Sequence, residues 1–390
     1  MRSLLVSGGF CDVRVKNGKL VVIEGFGTQR LIYEFNPRNL DFENVVITNP
    51  DGNISLSALY WLSRNNIPVL ILNYDGELTS IIQPPQSNAK SRLKQYDAYL
   101  NDRVEIGRQF IMGKIKHTED FLNFLKTRYD IDLTKFQFKE TYKKLREAKT
   151  LKTLLGIEGI TANLYWTEIN RVFAESKFPM GNRDIGRTNR PMNAVDEINA
   201  LLNYGYTYLQ SLVQKALNSN GLDTSIGFVH EIASGKRPLT YDFLEPFRFL
   251  VDWSIIKGME TKVFNKNDFT RDLVSYNLRL KKSGIDKLIR LVQDSLSTRV
   301  HYKGADWQWY TLIYDKTREF SKDFRIDLTE PSFNGERTDT KDMRTKILNM
   351  TYKEWKEMGF SKGSLWYMKH NIENGSFKLY EKTLEKLEKT

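Results

Sequence analysis

A proline pair sets the main constraint on this chain. Pro84-Pro85 lies within Gln83-Pro84-Pro85-Gln86-Ser87, and the hydrophobic period changes across it. Proline lacks the amide donor that a sheet ladder needs, so a strand ends there. Before it apolar residues alternate, as in CDVRVKNGKLVVIEGF, where Asn17-Gly18 marks a two-residue hairpin. RLIYEF, NVVITN, IPVLILN and LTSIIQP read as further strands, with a second hairpin turn at Asp75-Gly76. ISLSALYWLSRNN interrupts them with helical spacing, and Leu56, Leu59, Tyr60 and Ser63 fall on one side. From Ala89 onward apolar residues recur every three or four positions and the pattern stays helical. The expected fold class is α+β: a small β-rich domain over residues 1–85, a larger all-α domain over 86–325, and a tail over 326–390.

Charge divides the same way. Residues 1–85 carry seven Lys or Arg against eight Asp or Glu; with a total of +11, the remainder carries about +12. A basic excess confined to one part suits a polyanion, most often nucleic acid, and suits equally a merely soluble basic surface. No apolar run approaches the roughly 18 residues of a membrane-spanning helix. MRSLLV reads as a strand rather than a signal peptide. Cys11 is the single cysteine, which removes intrachain disulfides and cysteine-based zinc sites and fits a reducing, cytoplasmic compartment. The histidines are His117, His230, His301 and His370. A metal site must therefore lean on Asp and Glu, which favours Mg2+ or Mn2+ over structural zinc.

Chemistry-bearing residues gather in IGFVHEIASGKRPLTYDFLEPFR, residues 226–248. If Leu239 to Arg248 is helical, Asp242, Glu245 and Arg248 share a face. Taken singly, His230 reads as a core histidine, and Asp242 with Glu245 as a solvated helix end. Pro246 fits a first helical turn better than an interior. Taken together, a histidine and two carboxylates across a short loop suit a hard or borderline divalent ion. Lys236 and Arg237 in the loop, with Arg248, suit an approaching phosphate. A second candidate is Glu158 in LLGIEGITANLYW. Helical spacing turns it toward the core beside Leu155, Ala162 and Tyr165, where a carboxylate needs a partner. The competing reading is a helix-start carboxylate favoured by the macrodipole. Downstream, Asn193 or Asp196 caps the helix of AVDEINALLNYGYTYL, and Tyr204, Tyr206 and Tyr208 read as core.

These segments carry a resemblance. GFVHE, the loop SGKRPL and YDFLEPFR resemble the signature of the CRISPR-associated integrases that acquire new spacers. LLGIEGITANLYW resembles that family's Glu-bearing motif, and RPMNAVDEINALLNYGYTYL its Arg-Pro and Asn-Ala-Leu-Leu-Asn-Tyr-Gly-Tyr segment. Three motifs in order, over about residues 1–320, make the match specific. The resemblance implies a homodimer formed through the β domain and a catalytic helical domain. It implies Glu158, His230 and Glu245 as ligands of Mg2+ or Mn2+, with Asp242 the acidic residue beside them. It also implies attack of a DNA 3′-hydroxyl on a target strand. The spacer NAVDEI between Met192 and Asn199 is longer than the family usually has, which touches a helix start and not the ligands.

The tail adds a further element. After the polar stretch EPSFNGERTDTKD, TYKEWKEMGFSKGSLWYMK has the spacing of a helix-turn-helix with a turn at Gly359 and Phe360 buried in it; a last helix follows an Asn-Gly turn. Ser361 caps the second helix, and Lys362, Ser364, Tyr367 and Lys369 face DNA. The alternative is a helical hairpin that only packs. Residues 341–390 carry eleven Lys or Arg and seven Asp or Glu, about +4. Such a tail resembles the casposase, a transposon-encoded relative that integrates its own element's ends. The two branches share fold, ligands and reaction. They differ in partner: the spacer-acquiring branch takes a small ferredoxin-like protein, and both take donor ends and target duplex DNA. A prokaryotic cytoplasmic protein is expected, without a membrane partner. The readings from other classes are a non-enzymatic DNA-binding scaffold and a simple metal-dependent DNase.

Overall fold

The structure, a computed structural model, describes residues 3–333 and 347–373 except 8, 27–28, 38–39, 41, 43, 49–50, 66, 74–77, 83–88, 175, 179, 182–193, 195, 272–277, 348–349 and 358. Strands β1 (Ser3–Val6), β2 (Phe10–Lys16), β3 (Lys19–Phe26), β4 (Gln29–Phe35), β5 (Asn44–Ile47), β6 (Gly52–Ile54), β7 (Val69–Leu72) and β8 (Leu78–Ile82) precede the first long helix. They form two four-stranded sheets, ordered β4-β3-β2-β6 and β1-β5-β7-β8. The β2–β3 hairpin turns at Asn17-Gly18, both in the left-handed region (φ 50 and 75), as the dipeptide requires. The turn expected at Asp75-Gly76 and the Pro84-Pro85 break lie outside the described residues.

The second sheet explains why NVVI and VLIL are apolar throughout. In β5, Val45 and Ile47 pack into the N-terminal core while Val46 joins the helical core; in β7, Val69 faces the first and Leu70 and Leu72 the second. Successive strand residues point to opposite faces, so a strand covered on both sides has no polar position. The proline pair thus separates two patterns of secondary structure that share a sheet. The chain divides instead into compact units of residues 1–334 and 335–390.

Helix α1 (Leu56–Arg64) packs with the opposite face from the one its spacing suggested. Ala58, Trp61 and Leu62 are buried, whereas Leu56 is 83% and Tyr60 65% exposed. Trp61 decides the matter: its Nε1–H donates to the Gly18 carbonyl at 2.9 Å, anchoring the helix under the hairpin.

The helical pattern from Ala89 resolves into α2 (Ala89–Asn101), α3 (Arg103–Lys126), α4 (Phe138–Glu147), α5 (Leu151–Ala174), α6 (Glu197–Ser219), α7 (Pro238–Leu244), α8 (Phe249–Glu260), α9 (Lys282–Ser297) and α10 (Trp309–Asp323). Asp196 caps α6 by accepting from the Asn199 amide at 2.8 Å, and Tyr204, Tyr206 and Tyr208 are buried, as expected; Asn193 lies outside the described residues. The region is not all helix. Two short antiparallel ribbons interrupt it: β9 (Phe269–Arg271) with β10 (Leu278–Leu280), and β11 (Arg299–Tyr302) with β12 (Ala305–Gln308). Strands of three or four residues are too short to show alternation, although Lys303-Gly304 at φ 49 and 75 is another two-residue turn.

In the second unit, α11 (Tyr352–Glu357) and α12 (Lys362–Glu373) flank Gly359 at φ 80. The buried anchor is Trp355, fully covered, with Phe360 stacked on it at 4.6 Å. Ser361 caps α12 by accepting from the Ser364 amide at 3.3 Å, as expected. Ser364 faces inward and not toward a partner: its Oγ accepts from Trp355 Nε1 at 2.9 Å and donates to the Ser361 carbonyl at 2.7 Å. Lys369 is half-buried, while the side chains of Lys362 and Tyr367, and the expected last helix, lie outside the described residues.

Candidate active site

The site is built on α3, α5 and the α7–α8 junction. Proline at position 246 cannot continue α7 in regular geometry, and Glu245–Phe247 form a single 3-10 turn. That turn separates the two carboxylates expected on one face. Asp242, still in α7, points back at the 228–230 segment, while Glu245 points toward α3 and α5.

Asp242 is buried, and its two oxygens take four hydrogen bonds. Oδ2 accepts from the Phe228 and Val229 amides at 2.5 and 3.1 Å. Oδ1 accepts from the His230 amide at 3.0 Å and from His230 Nδ1 at 2.7 Å. These four donors face the four lone-pair positions of the carboxylate and fix the His230 ring against it. An acceptor-only carboxylate on Nδ1 puts the imidazole proton there and leaves Nε2 with the lone pair of the neutral ring. Burial works against charging His230, but the bond to Asp242 and the charges of Asp242 and Glu245 outweigh it, so its pKa is raised. The imidazole is 42% exposed, not enclosed in the core.

Glu158 lies seven residues into α5, beyond the reach of the macrodipole at its start, which corrects the helix-start reading. Its required partner is Lys114 on α3, which hydrogen-bonds Glu158 Oε1 and lies 2.6 Å from Glu245 Oε2. One ammonium therefore bridges carboxylates from two separate elements. Gly156 and Gly159 beside Glu158 have open space where a side chain would project. Burial opposes the charge of Glu245, yet Arg248 and Lys114 hold its carboxyl well below the usual range. For Lys114 the same two carboxylates overcome burial and raise its pKa.

Arg248 turns inward and is not open to a phosphate. It donates to Glu245 Oε1 at 2.7 Å and lies 4.0 Å from the centre of the Tyr206 ring. The hydroxyls of Tyr165 and Tyr206 both donate to buried Asp252, completing the wall behind Glu245. Lys236 and Arg237 sit on the exposed loop 231–237, with Arg237 Nη1 3.5 Å from Thr224 Oγ1.

Sequence reading missed Lys114 and Asp252. The signal was present in both. Lys114 sits at helical spacing from Phe110 and Ile111 on the buried stripe of α3, and Asp252 stands inside FLVDWSII. A charge on an apolar stripe needs an opposite charge or hydrogen-bond donors.

The donor set of Glu158, Glu245 and His230 Nε2 suits a hard divalent ion. Glu245 Oε2 is buried without an aligned hydrogen-bond donor, and a cation already stands between the carboxylates. The residues therefore fit such an ion, although among the described residues no three acidic, His or Cys side chains are gathered into a ready cage. Among the same residues no helix is long and apolar enough to cross a membrane.

The fold is that of the Cas1 and casposase proteins. A casposase bound to integration product matches with a TM-score of 0.80 at 36% identity, over 90% of this chain and 100% of that one. A CAS1 protein from Thermotoga maritima shares the fold with a TM-score of 0.66 at 20% identity, over 86% of this chain and 100% of that one. The family described as CRISPR associated protein Cas1 matches residues 4–294, and the chain belongs to it. Among its relatives, a CRISPR-associated endonuclease Cas1 of Archaeoglobus fulgidus is 29% identical over 335 residues, 81% of this chain and 94% of the relative.

Proposed function

We propose that this chain is a divalent-metal-dependent DNA integrase. It joins the 3′-hydroxyl end of a DNA fragment or element to a target strand. The observation that carries the reading is the convergence of Glu158 and Glu245 on one cationic position, with Glu245 and Lys114 also acting electrostatically on His230, whose ring is hydrogen-bonded to Asp242. In the transfer, the donor 3′-oxygen forms a bond to phosphorus and the target 3′-oxygen leaves, so one phosphodiester replaces another. Mg2+ or Mn2+ held by Glu158, His230 and Glu245 would neutralise charge at phosphorus and favour both the attacking and the leaving oxygen. Asp242 holds the ring in the tautomer that presents Nε2. Arg248 pins Glu245. Lys236 and Arg237 on the exposed loop would meet the DNA backbone.

Other surfaces fit this role. Strand β4 is a sheet edge with Leu31, Ile32 and Tyr33 exposed at 44, 62 and 38%, an apolar edge suited to a second copy of the chain. The helix pair of residues 352–373 would hold DNA through Lys362 and Lys369, giving the chain three parts: 1–85 for dimerisation, 86–325 for catalysis and 326–390 for DNA. Integration of an element's ends is the branch favoured by the 36% identity to a casposase over 90% of the chain. Spacer acquisition with a small ferredoxin-like partner is the second reading, supported by the Cas1 relatives.

Strand joining with Mn2+ tests the proposal. Wild type should give joined product, and His230→Ala and Glu158→Ala should not. Unchanged joining in both variants refutes the assignment. Cleavage without joined product indicates a DNase, and salt-sensitive binding without either indicates a scaffold.

A further inference from the structure

We infer that Lys114 is the resident counter-ion of the metal-free centre, and that its ammonium must leave the position between Glu158 and Glu245 before a divalent ion binds both. The inference rests on the ligand assignment proposed above and adds a residue which that assignment does not use.

Geometry gives the first argument. Lys114 Nζ hydrogen-bonds Glu158 Oε1 and lies 2.6 Å from Glu245 Oε2. A Mg2+ ion takes carboxylate oxygens at about 2.0–2.1 Å. An ion bridging the same two oxygens would stand almost where the nitrogen now is, and the two cannot coexist there.

Charge gives the second. Lys114 already supplies a positive charge to both Glu158 and Glu245, and Arg248 is shared between Glu245 and the nearby charge of Asp252. The side chains of Lys114, Glu158 and Glu245 are only 23, 18 and 18% exposed, so water screens them weakly. A divalent ion added between the same two carboxylates without moving Lys114 would set two cations against each other at close range.

Mobility decides which cation moves. Arg248 is fixed twice, by Glu245 and by the face of Tyr206. Lys114 carries a compact charge on a flexible four-carbon stem, and its partial exposure leaves a route to solvent. A DNA phosphate at the mouth of the site would stabilise the displaced ammonium. Phosphate and ion would then assist each other's binding, as linkage requires.

The test uses the full chain, free of DNA, and reads binding rather than turnover. Free Mn2+ is followed by electron paramagnetic resonance during titration of wild type, Lys114→Met and Lys114→Arg. The Met variant should bind at least about tenfold tighter than wild type, because a neighbouring positive charge is gone. The Arg variant should not. In EDTA the Met variant should melt below wild type, and adding Glu158→Gln to it should restore the melting temperature. Lys114→Gln replaces the Met variant if that protein does not fold. Mn2+ affinity equal to or weaker than wild type in the neutral variant overturns the inference while leaving the metal site standing. Mn2+ binding that is absent from wild type and variant alike, or that survives His230→Ala and Glu158→Gln unchanged, overturns the ligand assignment and the displacement with it.

Discussion

Replacing Asp242 by Asn tests whether this residue orients and does not ligate. The four donors facing its carboxylate are the amides of Phe228, Val229 and His230 and the Nδ1–H of His230. A carboxamide has one oxygen where the carboxylate has two, so two of these donors would meet an NH2 group. If the NH2 faces Phe228 and Val229, two bonds to a charged acceptor are lost, each worth about 1.5–3 kcal/mol, giving about 3–6 kcal/mol. If it faces His230, the ring can relieve half the conflict by giving up its Nδ1 proton and accepting instead. That switch moves the proton to Nε2 and removes the lone pair offered to an ion. Both outcomes are measurable. Urea unfolding reports the stability loss, large beside a typical total of about 5–15 kcal/mol. Nitrogen-15 spectra of the His-labelled protein, at a pH above the raised pKa of His230, report which ring nitrogen carries the proton. A stability change under about 1 kcal/mol with Nδ1 still protonated would refute the orienting role.

Three further outcomes follow from the packing. His117 is buried, with Nε2 2.9 Å from the Leu328 carbonyl, and burial lowers its pKa from 6.5 to about 4. Because the unfolded chain binds this proton first, the protein should lose about 3 kcal/mol of stability as pH falls from 6.5 to 4, and His117→Phe should flatten that slope in urea melts. Gly205 of α6 would place a Cβ 2.4 Å from Val251 Cγ1 of α8, so Gly205→Ala should cost about 1–3 kcal/mol by the same melts; a neutral result would mean the helices are free to separate. Trp355→Ala removes a fully buried aromatic of the α11–α12 pair and should cost about 3–5 kcal/mol, seen as rapid trypsin cleavage within residues 352–373.

Much of the candidate site was legible because its motifs are local. GFVHE, YDFLEPFR and the Glu158 segment each lie within one or two elements, and residue type with spacing identified them. What the motifs do to one another was not legible. Asp242 and Glu245 stand three apart, which in a regular helix puts them on one face, yet the 3-10 turn at Pro246 sends one to the 228–230 amides and the other to Lys114. The sequence points Arg248 at a phosphate and Ser364 at DNA, and each is taken up by an internal partner. A sequence shows that a polar group is present, whereas its availability depends on what else has packed against it.

The alternating β2–β3 hairpin, the helical remainder, the Asn17-Gly18 turn, the cap at Ser361, and the Glu, His and Glu motifs were all fixed by near-neighbour chemistry. Backbone sterics and hydrogen bonding act over a few residues, so the sequence itself determines them. Tertiary structure decided which face of α1 is buried, that β5 and β7 serve two cores at once, and that Lys114, 44 residues from Glu158, stands between the carboxylates. Those outcomes come from pairing distant groups to satisfy buried charge and apolar surface. No local pattern in the sequence selects among the distant partners that could do so.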